Sequence, residues 1–254
     1  DNTTLTFGDV LVDSTSTDSD TLNVTLAGGT NATAGTIVGI ENVNFNNTSL
    51  TTDSAINIDN IIGAAVTINH TANPLVAPDG SAVTNLESGS SVTMGTNITG
   101  TVTATTTASA TGATVNGGLA TTLTVTSGAT NTNLSVTGGS RAGSTIVDVN
   151  SGTTPSVTSG ASDATLTVTN IAASPATLVM SKAGSATSAS NVNISGDANG
   201  ATADAASVSG SGIITLDSDG TGGDQIEALT VSGNGAAVTF NDSGAPTSLT
   251  MTGS

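Results

Sequence analysis

The feature that most restricts the fold of this chain is a short motif, apolar–polar–apolar, that recurs between polar turns. It occurs, for example, at Leu22-Asn23-Val24, Val43-Asn44-Phe45 and Leu123-Thr124-Val125. Strict alternation of this kind is typical of a β-strand with one buried face. No window keeps apolar residues at helical spacing for long enough to predict a helix. The sequence therefore predicts an all-β fold.

The spacing of the motifs predicts stacked repeats. Between the predicted strands lie similar turns, such as Ser127-Gly128, Gly138-Gly139 and Ser159-Gly160. A short period with constant turn chemistry is the signature of a repeat architecture. The predicted strands of the regular central part of the chain begin at Leu123, Leu134, Ile146, Val157, Leu166, Leu178 and Val192.

Two architectures suit short strands at about 11-residue spacing, and the composition of the core favours one of them. A β-sandwich must fill a gap of about 10 Å between its sheets. This chain has three Phe, no Trp and no Tyr to fill such a gap. Val, Leu, Ile, Ala and Thr suit the narrow interior of a stacked coil. We therefore predict a parallel β-solenoid (β-helix), with tandem β-sandwich domains as the alternative.

The N-terminal third is less regular than the rest. Residues 73–80 place Pro74 and Pro78 on either side of an apolar pair, and proline interrupts strand pairing. We predict a boundary here. Residues 1–80 would form a less regular β region, and residues 81–254 would form the repetitive β-solenoid.

Charge and composition exclude several classes of function. Two Lys and Arg residues against 19 Asp and Glu give a net charge of −17. Such a chain cannot neutralise phosphates, which excludes a nucleic-acid partner, and it is unsuited to insertion into an anionic membrane. Without Cys it holds no disulfide or thiol site. Thr and Ser make up 82 of the 254 residues, and only 8% are charged. This surface chemistry is typical of extracellular, cell-surface repeat proteins.

Two segments carry a resemblance to a known family. Asp20–Leu26 reads Asp-Thr-Leu-Asn-Val-Thr-Leu, and Ile37–Phe45 reads Ile-Val-Gly-Ile-Glu-Asn-Val-Asn-Phe. They resemble a phrase of the surface-layer (S-layer) proteins that Gram-negative bacteria export by type I secretion. The composition is similar to theirs as well. The family's long runs of Gly-Gly-x-Gly-x-Asp repeats and an anchoring domain are both absent from this sequence.

The resemblance implies a secreted structural protein of the cell surface, which self-assembles into a homo-oligomeric lattice with calcium. Cell-surface polysaccharide would be bound through a region outside this sequence. Because the chain begins at Asp1 and ends directly after a strand motif, we expect further repeats or a neighbouring copy at its ends.

The sequence argues against an enzyme. His70 is the only His, and no Gly-x-Ser-x-Gly motif lies near it, so we expect a surface or loop residue rather than part of a triad. Arg141 and Lys182 are isolated cations. The alternatives to a lattice protein are an adhesin or ice-binding repeat module, suggested by Thr-x-Thr runs, and a carbohydrate-active β-helix enzyme.

Two acidic clusters are candidate calcium sites. Residues 216–227 contain Asp217, Asp219, Asp224 and Glu227. Three glycines lie between these acids and would allow a sharp turn in which the carboxylates converge. Calcium takes 6 to 8 oxygen ligands, which carboxylates and loop carbonyls supply. The predicted metal ligands are Asp217, Asp219, Asp224, Glu227, Asp13, Asp18 and Asp20.

Overall fold

The chain folds entirely into strands and turns over the part that the structure describes. The computed structural model describes residues 8–15, 18–27, 30–31, 35–49, 52–70, 79–95, 97–108, 110–128, 133–141, 143–149, 155–163, 165–171, 176–180, 189–196, 204–211, 213–218, 226–234, 238–242 and 248–253. Within these ranges there is no helix. The all-β prediction is therefore confirmed.

Two long sheets contain nearly all of the strands. The first is an 11-stranded sheet. In spatial order its strands are β2 (Thr21–Leu26), β5 (Asn42–Asn47), β7 (Ala65–His70), β9 (Ser91–Met94), β11 (Thr114–Asn116), β13 (Ser135–Thr137), β15 (Ser156–Thr158), β17 (Ala176–Met180), β19 (Asp204–Ser211), β21 (Ile226–Asn234) and β23 (Ser248–Gly253).

The second sheet has 10 strands and is built from the alternate segments of the chain. Its strands are β3 (Thr30–Asn31), β6 (Ser54–Asn57), β8 (Asp79–Leu86), β10 (Ile98–Thr106), β12 (Thr122–Thr126), β14 (Ser144–Asp148), β16 (Thr165–Ile171), β18 (Ala189–Gly196), β20 (Ile213–Ser218) and β22 (Val238–Asp242). A separate parallel pair joins β1 (Val10–Val12) to β4 (Thr36–Val38).

The connectivity is that of a parallel β-solenoid. The chain alternates between the two sheets, and within each sheet every strand pairing of the described residues is parallel. Thr21 pairs with Asn42, and Asn42 pairs with Ala65 one turn further on. Successive turns are about 23 residues apart. Two strands per turn reproduce the predicted spacing of about 11 residues, and a β-sandwich of antiparallel sheets is excluded.

The core is a set of small aliphatic columns between the two sheets. Val92, Val115, Val136 and Val157 are register partners on successive turns, and each is at most 1% exposed. Stacking identical side chains at the strand spacing fills a narrow interior without aromatics. Phe45, which is fully buried, is accommodated in the same core.

Both sheets continue across the predicted boundary near residue 80. Strand β6 pairs with β8, and β7 pairs with β9, in unbroken register. Asp79 and Gly80 begin strand β8, whereas residues 73–78 lie outside the described residues. The division at residue 80 into a less regular and a repetitive region stays a prediction.

A search of the described residues for a helix long and apolar enough to span a membrane found none.

Candidate functional site

Three of the predicted metal ligands meet at one end of the solenoid. Asp13, Asp18 and Asp20 belong to the connection between β1 and β2, and one carboxylate oxygen from each lies within 4.8 Å of the other two. Asp18 is exposed, and Asp13 and Asp20 are half-buried. We call these three residues the acidic cluster. Its members are close in sequence, but the fold determines that their carboxylates converge.

The first turn of the solenoid fixes the N-terminal side of the acidic cluster. The backbone N–H of Asp13 donates to the carbonyl oxygen of Val38 at 2.9 Å, which continues the pairing of β1 with β4. Gly39 follows with φ of +76°, and a Cβ at this position would overlap the carbonyl oxygen of Asp13. Glycine is required here for both reasons.

The second turn fixes the other side of the acidic cluster. The backbone N–H of Asp20 donates to Oε2 of Glu41 at 2.8 Å, and the backbone N–H of Asn42 donates to the carbonyl oxygen of Asp20 at 3.0 Å. Asp20 and Glu41 come from the two segments that resemble surface-layer proteins. The two segments are neighbours in space because β2 pairs with β5 in register.

The pKa values of Asp13 and Asp20 are shifted in opposite directions. The side-chain and backbone hydrogen bonds of Thr15 lower the pKa of Asp13, since Thr15 Oγ1 lies 2.7 Å from Asp13 Oδ2. The pKa of Asp20 is raised, first by its hydrogen bond to the Asp13 carboxyl and then by desolvation and by repulsion from Asp18, Asp13 and Glu41. Of these two carboxyl groups, Asp20 is therefore the first to take up a proton as the pH falls.

The acidic cluster suits a hard divalent cation. All of its side-chain donors are oxygens, which Ca²⁺ and Mg²⁺ prefer, and the soft ligands His and Cys are not among them. Neighbouring carboxylates raise one another's pKa, and a bound cation would relieve that repulsion. Glu41 is the nearest further carboxylate that the geometry provides, through its contact with Asp20.

The second predicted cluster is only partly within the described residues. Asp217 lies in strand β20, where its backbone is in register with Asn193 and Asn241. Glu227 lies in strand β21. Asp219 and Asp224 lie outside the described residues. Calcium binding by these four residues stays a prediction.

The prediction of a surface position for His70 is wrong. His70 is 2% exposed and ends strand β7, where its Nε2 lies 2.9 Å from the carbonyl oxygen of Ser49. Val66, Ile68 and His70 alternate along the strand and all face the interior. That alternation was visible in the sequence and places His70 on the buried side.

Of the two cations, one belongs to the described residues. Arg141 is exposed in the turn after β13, and Lys182 lies outside the described residues. The carboxylate of Asp148 accepts a hydrogen bond from Nδ2 of Asn170, on the next turn of the solenoid, at 2.6 Å.

Sequence reasoning missed a buried acid in the interior. Asp163, which is 1% exposed, accepts hydrogen bonds at Oδ2 from Thr145 Oγ1 at 2.5 Å and from the backbone N–H of Gly160 at 2.9 Å. Its other oxygen, Oδ1, has no hydrogen-bond partner among the described atoms. Gly138 leaves room for this arrangement, because a Cβ there would overlap Thr145 Oγ1. Burial raises the pKa of Asp163.

We compared the chain with models of protein families, with curated proteins and with solved structures. No family model, no curated protein and no solved structure matched it significantly. The function must therefore be argued from the residues and geometry of this chain.

Proposed function

We propose that this chain is a structural, non-enzymatic component of an extracellular bacterial surface layer. Copies of the chain would associate side by side into a lattice, and calcium would bind the acidic cluster of Asp13, Asp18 and Asp20. The other four predicted ligands, in and around residues 217–227, would form a second calcium site. The protein would be secreted by the type I pathway.

The observation that carries the proposal is the length of the regular parallel ladder. Eleven strands of one sheet follow one another in parallel. A solenoid of this kind repeats the same side-chain positions along its axis. Repeated positions favour repeated lateral contacts with identical neighbours, which is what a lattice requires.

The acidic cluster supports the choice of calcium. Its carboxylates converge, and backbone hydrogen bonds to the next turn hold both Asp13 and Asp20 in place. The pKa of Asp20 is raised by its hydrogen bond to Asp13, then by desolvation and by repulsion from neighbouring carboxylates. Preorganised carboxylates lose less freedom when they bind a cation. In an extracellular setting a site of this type is suited to weak, structural calcium binding.

The placement of the reactive side chains supports a non-enzymatic role. General acid–base catalysis needs a group within hydrogen-bond reach of substrate. The only His is buried in the solenoid wall, and the described cation Arg141 stands alone in an exposed turn. A carbohydrate-active β-helix enzyme would instead gather several acids with Arg or Lys in one cleft.

A binding module is the alternative, and one observation favours it. Thr and Ser residues occupy register positions on the outer face of the first sheet over many turns, as at Thr114, Ser135 and Ser156. An ordered array of hydroxyl groups can also contact a sugar surface or ice. An adhesin or ice-binding role would be served by a monomer, whereas a lattice role would not.

Electron microscopy of the purified chain with calcium and with chelator separates these functions. We expect ordered arrays in calcium that disperse when a chelator is added. A chain that remains monomeric at high concentration in both conditions contradicts the lattice role. A monomer that binds insoluble glycan or ice would support the binding module instead.

A further inference from the structure

The outer face of the 11-stranded sheet carries two straight columns of side chains. We call these two columns the uncharged face. The first column consists of Thr21, Asn42, Ala65, Ser91, Thr114, Ser135, Ser156, Thr177, Ser207, Thr230 and Thr250. The second consists of Asn23, Asn44, Thr67, Thr93, Asn116, Thr137, Thr158, Val179, Ser209 and Ser232.

Charge is segregated away from the uncharged face. None of the register positions just named holds an acid or a base, although the chain has a net charge of −17. The outer face of the 10-stranded sheet differs, because it includes Asp148 and exposes Ile146 to 36%. The two sides of the solenoid therefore present different surfaces to a neighbour.

The uncharged face is also regular. From β5 to β17 the pairing runs without a register shift, so that each column advances by one strand spacing of about 4.8 Å per turn. The side chains are short, and their backbone is already fixed in the ladder. A surface of this kind loses little conformational entropy when it is covered.

We propose that the occupant of the uncharged face is the uncharged face of a second copy of this chain. The proposal rests on the proposed self-assembly and names its interface. Thr methyl groups and hydroxyl groups of two identical ladders would interdigitate as small side chains do between packed sheets. The symmetric use of one surface on both copies is the usual arrangement of a dimer.

Electrostatics favours this face over the outer face of the 10-stranded sheet, which carries Asp148. Two chains of charge −17 repel each other, and the repulsion is weakest where no charges face one another. At physiological ionic strength, charges more than about 8 Å apart are largely screened. Contact through the uncharged face keeps the acids of both copies outside the interface.

The available area overlaps the lower part of the range that specific contacts bury. Eleven strands at about 4.8 Å give a length of about 50 Å. Two columns with their side chains give a width of about 10–15 Å, hence about 500–750 Å² on each copy. Specific interfaces of standard size bury about 600–1,000 Å² per partner.

Paired double variants test the proposal by sedimentation velocity and light scattering over a range of concentrations. T93E with T137E places two acids on the uncharged face, where both threonines are exposed. T103E with T126E places two acids at exposed positions of the 10-stranded sheet and is the matched control of equal charge. Thermal melting of each variant establishes that it is folded. We expect both melting temperatures to stay close to that of the unsubstituted chain, because exposed substitutions of this kind have small effects on stability.

We expect the first variant to weaken association at least tenfold and the control to remain within about twofold of the unsubstituted chain. Association of the unsubstituted chain should strengthen with added NaCl, because salt screens the net repulsion and the interface has no ion pairs to weaken.

Several results would overturn the proposal. Equal association of both variants and the unsubstituted chain would exclude this face while leaving self-assembly intact. Equal loss in both variants would show that added charge alone, on either face, prevents association. If the unsubstituted chain is monomeric, both the proposed function and this interface are wrong. If the unsubstituted chain binds ice or insoluble glycan and T93E/T137E does not, the uncharged face has another occupant.

Discussion

Thr145 and Asp163 form a side-chain hydrogen bond inside the solenoid, with Thr145 Oγ1 at 2.5 Å from Asp163 Oδ2. The two residues come from neighbouring turns of the solenoid, since Thr145 belongs to β14 and Asp163 to the turn before β16, the strand that pairs with β14. A carboxyl group in this position is buried with one unpartnered oxygen, which is costly when it is ionised.

We predict that Asp163→Asn removes a pH dependence of stability. Burial raises the folded-state pKa of Asp163 above its ordinary value of 3.8. The stability that the protonated form contributes is present below that value and is lost as pH rises through the folded-state pKa. When the pH rises from 3 to 8, the free energy of unfolding of the variant should therefore increase by about 1–2 kcal/mol relative to that of the unsubstituted chain. Urea unfolding of both proteins at the two pH values measures the difference, and a constant difference would contradict the assignment.

Gly39→Ala, next to the acidic cluster, should destabilise the chain more than Gly63→Ala does. Gly39 and Gly63 both have positive φ, at +76° and +74°, but only a Cβ at Gly39 would meet another atom, the carbonyl oxygen of Asp13. We expect Gly63→Ala to lower the free energy of unfolding by about 1–2 kcal/mol. Gly39→Ala should lower it distinctly more, because Asp13 must also be displaced. Chemical denaturation of the two variants gives the comparison, and equal losses would show that strain alone matters.

Calcium should stabilise the chain through the acidic cluster. We expect calcium to raise the melting temperature of the unsubstituted chain, and Asp13→Asn with Asp18→Asn to remove most of that increase. Asp217→Asn with Asp219→Asn removes the same number of charges at the second predicted site. If calcium acts equally on both variants and on the unsubstituted chain, neither pair holds the ion. Loss of the effect in the second variant alone would assign calcium to residues 217–227.

Calcium affinity should increase with pH in the acid range. Below the raised pKa of Asp20, calcium must displace a proton from the Asp13–Asp20 pair. One displaced proton changes the apparent Kd by up to about tenfold per pH unit below that pKa. Calorimetric titration at pH 4.5 and pH 7 in two buffers of different ionisation enthalpy measures the affinity and the released proton. Binding without proton release would show that Asp20 is already ionised.

Thr15→Val provides the control for the titration of the acidic cluster. The substitution removes the Thr15 hydroxyl group, which lies 2.7 Å from Asp13 Oδ2. In the unsubstituted chain the hydrogen bond from this hydroxyl lowers the pKa of Asp13. Because Asp13 would then hold its proton to a higher pH, the variant should lose more calcium affinity at pH 4.5 than at pH 7. A uniform loss at both pH values would mean that Thr15 acts on the loop conformation instead.

The strand character and the repeat follow from the sequence alone. Alternating residues such as Val92 and Thr93 separate a buried from an exposed face, and polar turns recur at similar spacing along the chain. The scarcity of aromatics favoured a narrow core, which the valine columns fill. These are local rules of side-chain alternation and turn chemistry, and they required no knowledge of distant contacts.

Which turns stack on which, and what that stacking buries, depends on the tertiary structure. The pairing of β2 with β5 brings Glu41 to Asp20, 21 residues away, and adds a further repulsion at the Asp20 carboxyl. Asp163 lies in a Ser-Gly turn that reads as exposed, and it is buried because Thr145, on the neighbouring turn, closes over it. Register between turns is set by the summed packing of the whole coil, a non-local quantity that no short segment of the sequence contains.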